Sequence, residues 1–214
     1  MQTFIKKSLK RTCKICSKKF TTQFFNIWWC SNDCGYELSM RLKEKKQSQE
    51  MKEKREKLKE NILTTSDYRK LLQTQINAII RTIDYGQPCI SCSREDKKWH
   101  CSHYHHKSKN TSYNITFHAW NLHKSCDFCN LHLHGNTNGY RLGITERYGE
   151  DVLNLISDLP VIYKDLTFDK IELKSAINEA KEFYKSLPKE RVYSINELIE
   201  LRKKLNQKLG LYDI

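Results

Sequence analysis

Apolar residues in this chain recur mostly at helical spacing. Leu71, Leu72, Ile76, Ile79, Ile80 and Ile83 fall at three- and four-residue intervals, the period that lines one face of an α-helix. Thr65-Ser66-Asp67 reads as the start of that helix, with Ser66 or Asp67 as N-cap, and Gly86 and Pro88 read as its end. Residues 36–63 follow another pattern: no Gly or Pro, many Lys, Glu, Gln and Arg, and sparse apolar side chains such as Leu42, Met51 and Leu58. That pattern predicts one long solvated helix without a core face, supported by the pairs Glu50/Lys54 and Glu53/Lys57. Three further helices are expected at about 145–157, 174–186 and 194–208. Ser194 and Glu197 form a capping box for the last, and Leu198, Ile199, Leu201, Leu205 and Leu209 supply its apolar side.

Composition narrows the classes. The chain has 214 residues, of which 38% are hydrophobic, enough for a modest core in one domain or two small ones. With 7 glycines and 3 prolines it is a poor candidate for a turn-rich sandwich or barrel. No apolar run has the length of a membrane span, and the N-terminus lacks the apolar segment of a signal peptide. Neither the Rossmann nor the P-loop glycine pattern occurs.

Charge changes the picture. The net charge is +13, and residues 1–60 contribute 16 basic against 7 acidic side chains. Residues 85–142 add most of the remaining excess, whereas the C-terminal third is balanced. A polyanion touching one part of the molecule, nucleic acid foremost, is the partner such an asymmetry suggests.

Nine cysteines add a second signal. In a reducing compartment, which the lack of a signal peptide suggests, closely spaced pairs read as thiolate zinc sites rather than disulfides. One set is Cys13-x2-Cys16 with Cys30-x3-Cys34, and the other is Cys89-x2-Cys92 with Cys126-x2-Cys129. Each predicts a structural Zn²⁺ stapling a small unit. Cys101 is left over and reads as a small buried residue.

All eight histidines lie between positions 100 and 134, inside or just beyond the second cysteine frame. His105, His106 and His118 read as surface or phosphate-facing. Asn130 and His134, spaced i, i+4, would share one face of a short helix starting near Cys126 and could hold a divalent metal, with His132 as runner-up. His123 would share a strand face with Asn121. The turn at Asn136, Asn138 and Gly139 reads as a phosphate cradle or a plain loop, and Trp28-Trp29 as knuckle core more than a base-stacking platform.

His103, Asn121 and the Asn/His segment after them, framed by Cys-x2-Cys pairs, resemble an HNH (ββα-metal) nuclease motif. The wider layout resembles the phage NinG family, also called Rap, the recombination endonuclease of lambda-type phages. Trp28-Trp29-Cys30-Ser31 with Cys34-Gly35 is similar to that family's first zinc unit. Cys89-Ile90-Ser91-Cys92, Ser102-His103-Tyr104, Asn121 to Cys126, Cys129-Asn130 and Gly135-Asn136 are similar to its core. The likeness spans roughly residues 11–155 and is weak beyond.

The resemblance implies a metal-dependent endonuclease acting on branched DNA such as Holliday junctions and D-loops. His103 would be the general base for water, and Asn121 would orient its imidazole. The catalytic divalent ion, Mg²⁺ or Mn²⁺, would sit on Asn130 and His134, with His123 and His100 as further candidates. The resemblance suggests that lambda-type relatives often carry an acidic residue where this chain has His100, and imidazole there would favour a transition metal. A non-catalytic zinc protein that binds DNA as a recombination accessory is the alternative, and sequence-specific zinc-module control of transcription ranks last.

The expected architecture is helix-rich α+β. It comprises a basic N-terminal four-cysteine zinc knuckle over 1–35, the long charged helix over 36–63, an HNH core with the second four-cysteine site and its preceding helix over 64–157, and C-terminal helices over 158–214. The expected setting is the cytoplasm of a bacterial host, with no membrane partner. A homodimer, through the C-terminal helices or the long helix, would suit a symmetric junction.

Overall fold

The computed structural model describes residues 8–96, 98–106 and 115–212. The chain divides into two compact units, Met1–Ile62 and Leu63–Ile214.

In the first unit, β1 (Leu9–Thr12) and β2 (Lys19–Thr22) form an antiparallel hairpin with Leu9 opposite Thr22. Its turn holds Cys13 and Cys16. α1 (Asn32–Ile62) starts where the Ser31 hydroxyl accepts the Cys34 N–H, so Cys34 sits in its first turn. Leu42, Met51 and Leu58 are all exposed, as the sparse apolar pattern required. The side-chain pairs that support α1 are Glu37–Arg41 and Lys46–Glu50.

The second unit is built on α2 (Thr65–Ile83). Its N-cap is Thr64, not Ser66 or Asp67: the Thr64 hydroxyl accepts from Asp67 N–H while the Asp67 carboxylate accepts from Thr64 N–H. Two residues earlier than expected, this box uses Asp67 as its N3 member. Leu72, Ile76, Ile79, Ile80 and Ile83 are fully buried, against α5 (Lys170–Ser186) and α6 (Ile195–Leu209). The Ser194–Glu197 capping box opens α6 as expected.

β3 (Trp99–His103) and β4 (Leu122–Cys126) form a second antiparallel hairpin, with Ser102 opposite His123 and His103 opposite Leu122. A five-residue π-helix, Phe128–His132, follows β4. The single helix expected at 145–157 is two: α3 (Thr137–Tyr148) and α4 (Glu150–Ile162), broken at Gly149 with φ +91°. A boundary between 157 and 158 would therefore fall inside α4. A second apolar cluster joins Ile90, Trp120, Tyr140, Ile144, Leu153 and Ile156 beneath the hairpin.

Two glycines decide how α3 docks. A Cβ on Gly139 would stand 2.1 Å from the Ser91 carbonyl oxygen, and one on Gly143 would stand 1.7 Å from that of Ile90. The helix thus packs directly on the backbone between Cys89 and Cys92, at a distance no larger residue allows. The architecture is helix-rich α+β, and no helix among the described residues is long and apolar enough to cross a membrane.

Candidate functional site

Two cysteine quartets are assembled, and both match the spacing read from the sequence. In Cys13, Cys16, Cys30 and Cys34, as in Cys89, Cys92, Cys126 and Cys129, the sulfurs all lie within 4.8 Å of one another. Tetrahedral thiolate zinc, with Zn–S near ~2.3 Å, requires sulfurs about 3.8 Å apart. The Cys92–Cys126 and Cys30–Cys34 separations are 3.8 and 3.9 Å. The donor sets therefore fit Zn²⁺.

The two knuckles share a backbone plan. Ser17 N–H donates to Cys13 C=O and Ser93 N–H to Cys89 C=O, each Ser in a left-handed conformation. Cys13 N–H donates to Lys18 C=O, as Cys89 N–H does to Arg94 C=O. This turn aims the two sulfurs of a Cys-x2-Cys pair at one point. In the second quartet Cys126 N–H donates to Cys89 Sγ, Cys129 N–H to Cys126 Sγ, and the Asn136 amide to Cys129 Sγ. Such donors favour thiolate over thiol. Crowding splits the thiols of the first quartet. Hydrogen bonding, chiefly from Cys16 N–H, draws Cys13 down to about 6. The hydrogen bond with the Cys16 sulfur, then burial, pushes Cys30 up to about 12. A divalent cation relieves that conflict by stabilising all four charges.

Asn136 and the glycines are thus parts of the metal frame. The Asn136 amide, from a left-handed backbone, also donates to the Ser91 carbonyl. The turn read as a phosphate cradle or a plain loop braces the knuckle through Asn136.

The histidines scatter. His103 closes β3 opposite Leu122, on the alternate side of the strand from Ser102. Asn121, fully buried before β4, accepts from His105 N–H and donates to the carbonyls of His105 and Ile115. Its amide is spent on the main chain at both ends of the 105–115 connection, not on the imidazole of His103, which corrects its expected orienting role. Asn130 accepts from the Ser102 hydroxyl at 2.7 Å, and Ser102 also meets the Ser125 hydroxyl.

His123 is sealed between Tyr140 and Tyr148. The Tyr140 hydroxyl donates to Ser102 C=O, so it accepts from His123 Nδ1–H, which leaves Nε2 without a proton. Burial, then the charges of Arg202 and Arg147, hold His123 neutral. Those cations also oppose a metal at this position. His100 commits Nε2 to Asp127 at 2.8 Å. His134 lies beyond the π-helix with φ +47°, so the i, i+4 face expected with Asn130 does not form. His132, at the end of that π-helix, stacks on Phe128. Among the described residues, only the two cysteine quartets gather three or more His, Cys, Asp or Glu ligand atoms. His100, His123 and His134 are not gathered into such a group.

Nor are His105 and His118 surface groups. His105 Nε2 bonds to the Ile156 carbonyl, and His118 is buried between Tyr163 and Tyr212 with Nε2 bonded to the Asn206 amide. Only His106 of the three is exposed, with its ring beside Gly135. Burial pulls His118 from 6.5 down to about 3. The unfolded chain then binds a proton that the folded chain refuses between those values. Stability from neutral His118 is complete above pH 6.5 and is lost as pH falls towards 3. His118→Met keeps the volume and removes the titration. In urea unfolding at successive pH values, the variant should gain on the wild type by about 1.4 kcal/mol per pH unit below 6.5. A constant difference would refute the assignment.

Sequence spacing alone did not reveal Asp84 and Arg202. Both are fully buried, and Arg202 Nη2 binds the Asp84 carboxylate at 2.7 and 2.9 Å. Arg202 Nη1 donates to the carbonyls of Ala119 and Leu122, which bracket Asn121. Asp84 accepts from Lys124 N–H. The pair locks β4 and the Asn121 turn onto α2 and α6.

Comparison with known proteins agrees with this frame. The family model described as "Bacteriophage Lambda NinG protein" matches residues 5–191. Protein ninG of Salmonella phage P22 is 34% identical over 160 residues, covering 67% of this chain and 78% of its own. Protein ninG of Escherichia phage lambda is 32% identical over 167 residues, 70% of this chain and 81% of its own, and that of Escherichia phage 933W is 32% identical over 165. No solved structure matches. A match over residues 5–191, which spans both cysteine quartets and the β3–β4 hairpin, places the chain in the NinG family of lambda-type bacteriophages.

Proposed function

We propose that this chain is a DNA endonuclease selective for branched recombination intermediates, with its hydrolytic centre at the β3–β4 hairpin. The observation that carries the reading is the arrangement of that hairpin. A strand ends at His103, Asn121 clamps the connection to the next strand, and a short helix that carries Cys129 of the second quartet and then Asn130 returns over Ser102. That order of elements supports reading the motif residues as an HNH-like centre.

In this reading His103 takes the proton of the water that attacks phosphorus, the general-base task that imidazole most often performs. Asn121 acts through the backbone. By closing the 105–115 connection it fixes the chain that leaves His103. The quartet of Cys89, Cys92, Cys126 and Cys129 holds the hairpin's far end and the π-helix together. The excess of cations over residues 1–60 supplies sequence-independent phosphate binding, which predicts a steep loss of affinity with salt. A branch is read through shape and backbone contacts.

The test is cleavage of a synthetic four-way junction and its matching linear duplex, with Mg²⁺ and Mn²⁺ supplied separately. His103→Ala should abolish junction cutting, a loss of at least ~10²-fold, while junction binding stays within a factor of about two. Equal cutting of the duplex would remove the branch selectivity. Binding without cutting in either metal would overturn the nuclease reading in favour of a zinc-containing DNA-binding accessory protein.

A further inference from the structure

The surface of the N-terminal unit combines two properties seldom found together. Residues 8–31 contain Lys10, Arg11, Lys14, Lys18 and Lys19 and no carboxylate. On the same unit Phe25 is 80% exposed, Phe24 56% and Trp28 41%. The neighbouring Trp29 has a structural task, since its indole lies where a side chain on Gly35 would go, at the start of α1. Trp28 instead faces outward beneath cations: the Arg11 guanidinium is 4.0 Å from its ring centre and Lys14 Nζ is 4.6 Å. Arg11, Lys19, Phe20 and Trp28 line an open cleft of about 780 Å³ beside the β1–β2 hairpin.

Exposed rings are costly in water and call for a covering partner. The absence of any acidic group in the same segment says that the partner is anionic. Unpaired nucleotides meet both demands, because they present a flat π-face and a phosphate at each step. A closed duplex hides its base faces and would engage the cations alone. We propose that this unit stacks the unpaired bases of single-stranded or branch-point DNA on Phe24 and Phe25, with the cations around Trp28 and the β1–β2 hairpin on the phosphates. The inference rests on the DNA reading above and sharpens it by naming the form of DNA.

The experiment measures binding of a labelled oligothymidylate and of a linear duplex by the full chain, without added divalent metal, across a salt series. Wild type should bind the oligothymidylate with quenching of tryptophan emission. Phe24→Ala and Phe25→Ala should each weaken that binding about 5- to 150-fold, the range for one stacked base, with little change in salt slope. Duplex binding should hardly change. A Lys18→Gln, Lys19→Gln double variant should weaken both ligands and flatten the salt dependence, the opposite signature. Retained zinc content confirms that the variants fold, as the exposure of these side chains leads one to expect.

Wild-type affinity for oligothymidylate in Phe24→Ala and Phe25→Ala would overturn the inference and leave the rings as a surface for a protein. So would failure of the wild type to bind single strands at low salt. Ring-dependent binding without junction cleavage sinks the nuclease reading but sustains this one; cleavage with ring-independent binding does the reverse.

Discussion

Cys126→Ser is expected to prevent the second unit from folding. Cys126 ends β4 and meets Cys92 at 3.8 Å, its N–H donates to Cys89 Sγ, and its sulfur accepts from Cys129 N–H. The quartet joins a turn near residue 90 to a strand end some thirty residues later, and little apolar material lies beside it: its own cluster is the cysteines with Trp99. A structural zinc site supplies ~10–16 kcal/mol, as much as or more than the ~5–15 kcal/mol total stability of a domain. Removing one thiolate should therefore halve the zinc bound per chain and abolish the cooperative thermal transition of Leu63–Ile214. Cys16→Ser should also lose one zinc, yet it should leave that transition in place, because its quartet lies wholly within Met1–Ile62. Elemental analysis with circular dichroism melting reads both results. A Cys126→Ser protein that retains two zinc ions and an unchanged melt would show that the second quartet is no metal site.

Asp84→Ala should be the most damaging single change away from the cysteines. It leaves the Arg202 guanidinium fully buried without its carboxylate, and it removes the acceptor of Lys124 N–H. Breaking a buried pair from one side costs about 3–5 kcal/mol, since the stranded charge keeps its desolvation penalty. Arg202→Met strands the other charge and frees the carbonyls of Ala119 and Leu122, so a loss of similar size is expected. The double variant Asp84→Ala, Arg202→Met should recover part of the loss, because two neutral side chains owe no such penalty. It should remain below wild type, since three buried main-chain groups keep no partner, each worth about 1–3 kcal/mol. Urea unfolding of the three variants gives the coupling directly. Additive losses in the double variant would show that the pair does not act as a unit.

These variants bear on the site as well. Arg202 holds the two carbonyls that flank Asn121, and Asn121 holds the connection that leaves His103. The hydrolytic role proposed for His103 therefore depends on an arginine of α6.

Much of the protein was legible before any coordinates. Both cysteine quartets followed from spacing, because a Cys-x2-Cys turn is a local device whose geometry is fixed over a few residues. The α2 stripe, the solvated character of α1 and the Ser194–Glu197 cap were legible for the same reason: each is settled within one or two helical turns. What failed were inferences that carried a local rule past its range. The i, i+4 reading of Asn130 and His134 assumed a regular helix, whereas a π-helix ends at His132 and the chain turns left-handed. Spacing marks His118 as a surface or phosphate-facing group and His123 as a candidate metal ligand, yet packing from Tyr212, Tyr163, Tyr140 and Tyr148 buries them as neutral rings.

Residue type and near-neighbour spacing are enough to say which atoms can hold zinc, which helix has a core face and where the positive charge lies. Tertiary structure alone decided that Asp84 and Arg202, 118 residues apart, form the buried lock of the hairpin. It also decided that Gly139 and Gly143 are the docking face of α3, and that Asn121 serves the backbone. Such pairings bring together residues distant in the chain, and no periodicity records them, because their energy comes from desolvation and close contact that exist only once the elements have packed.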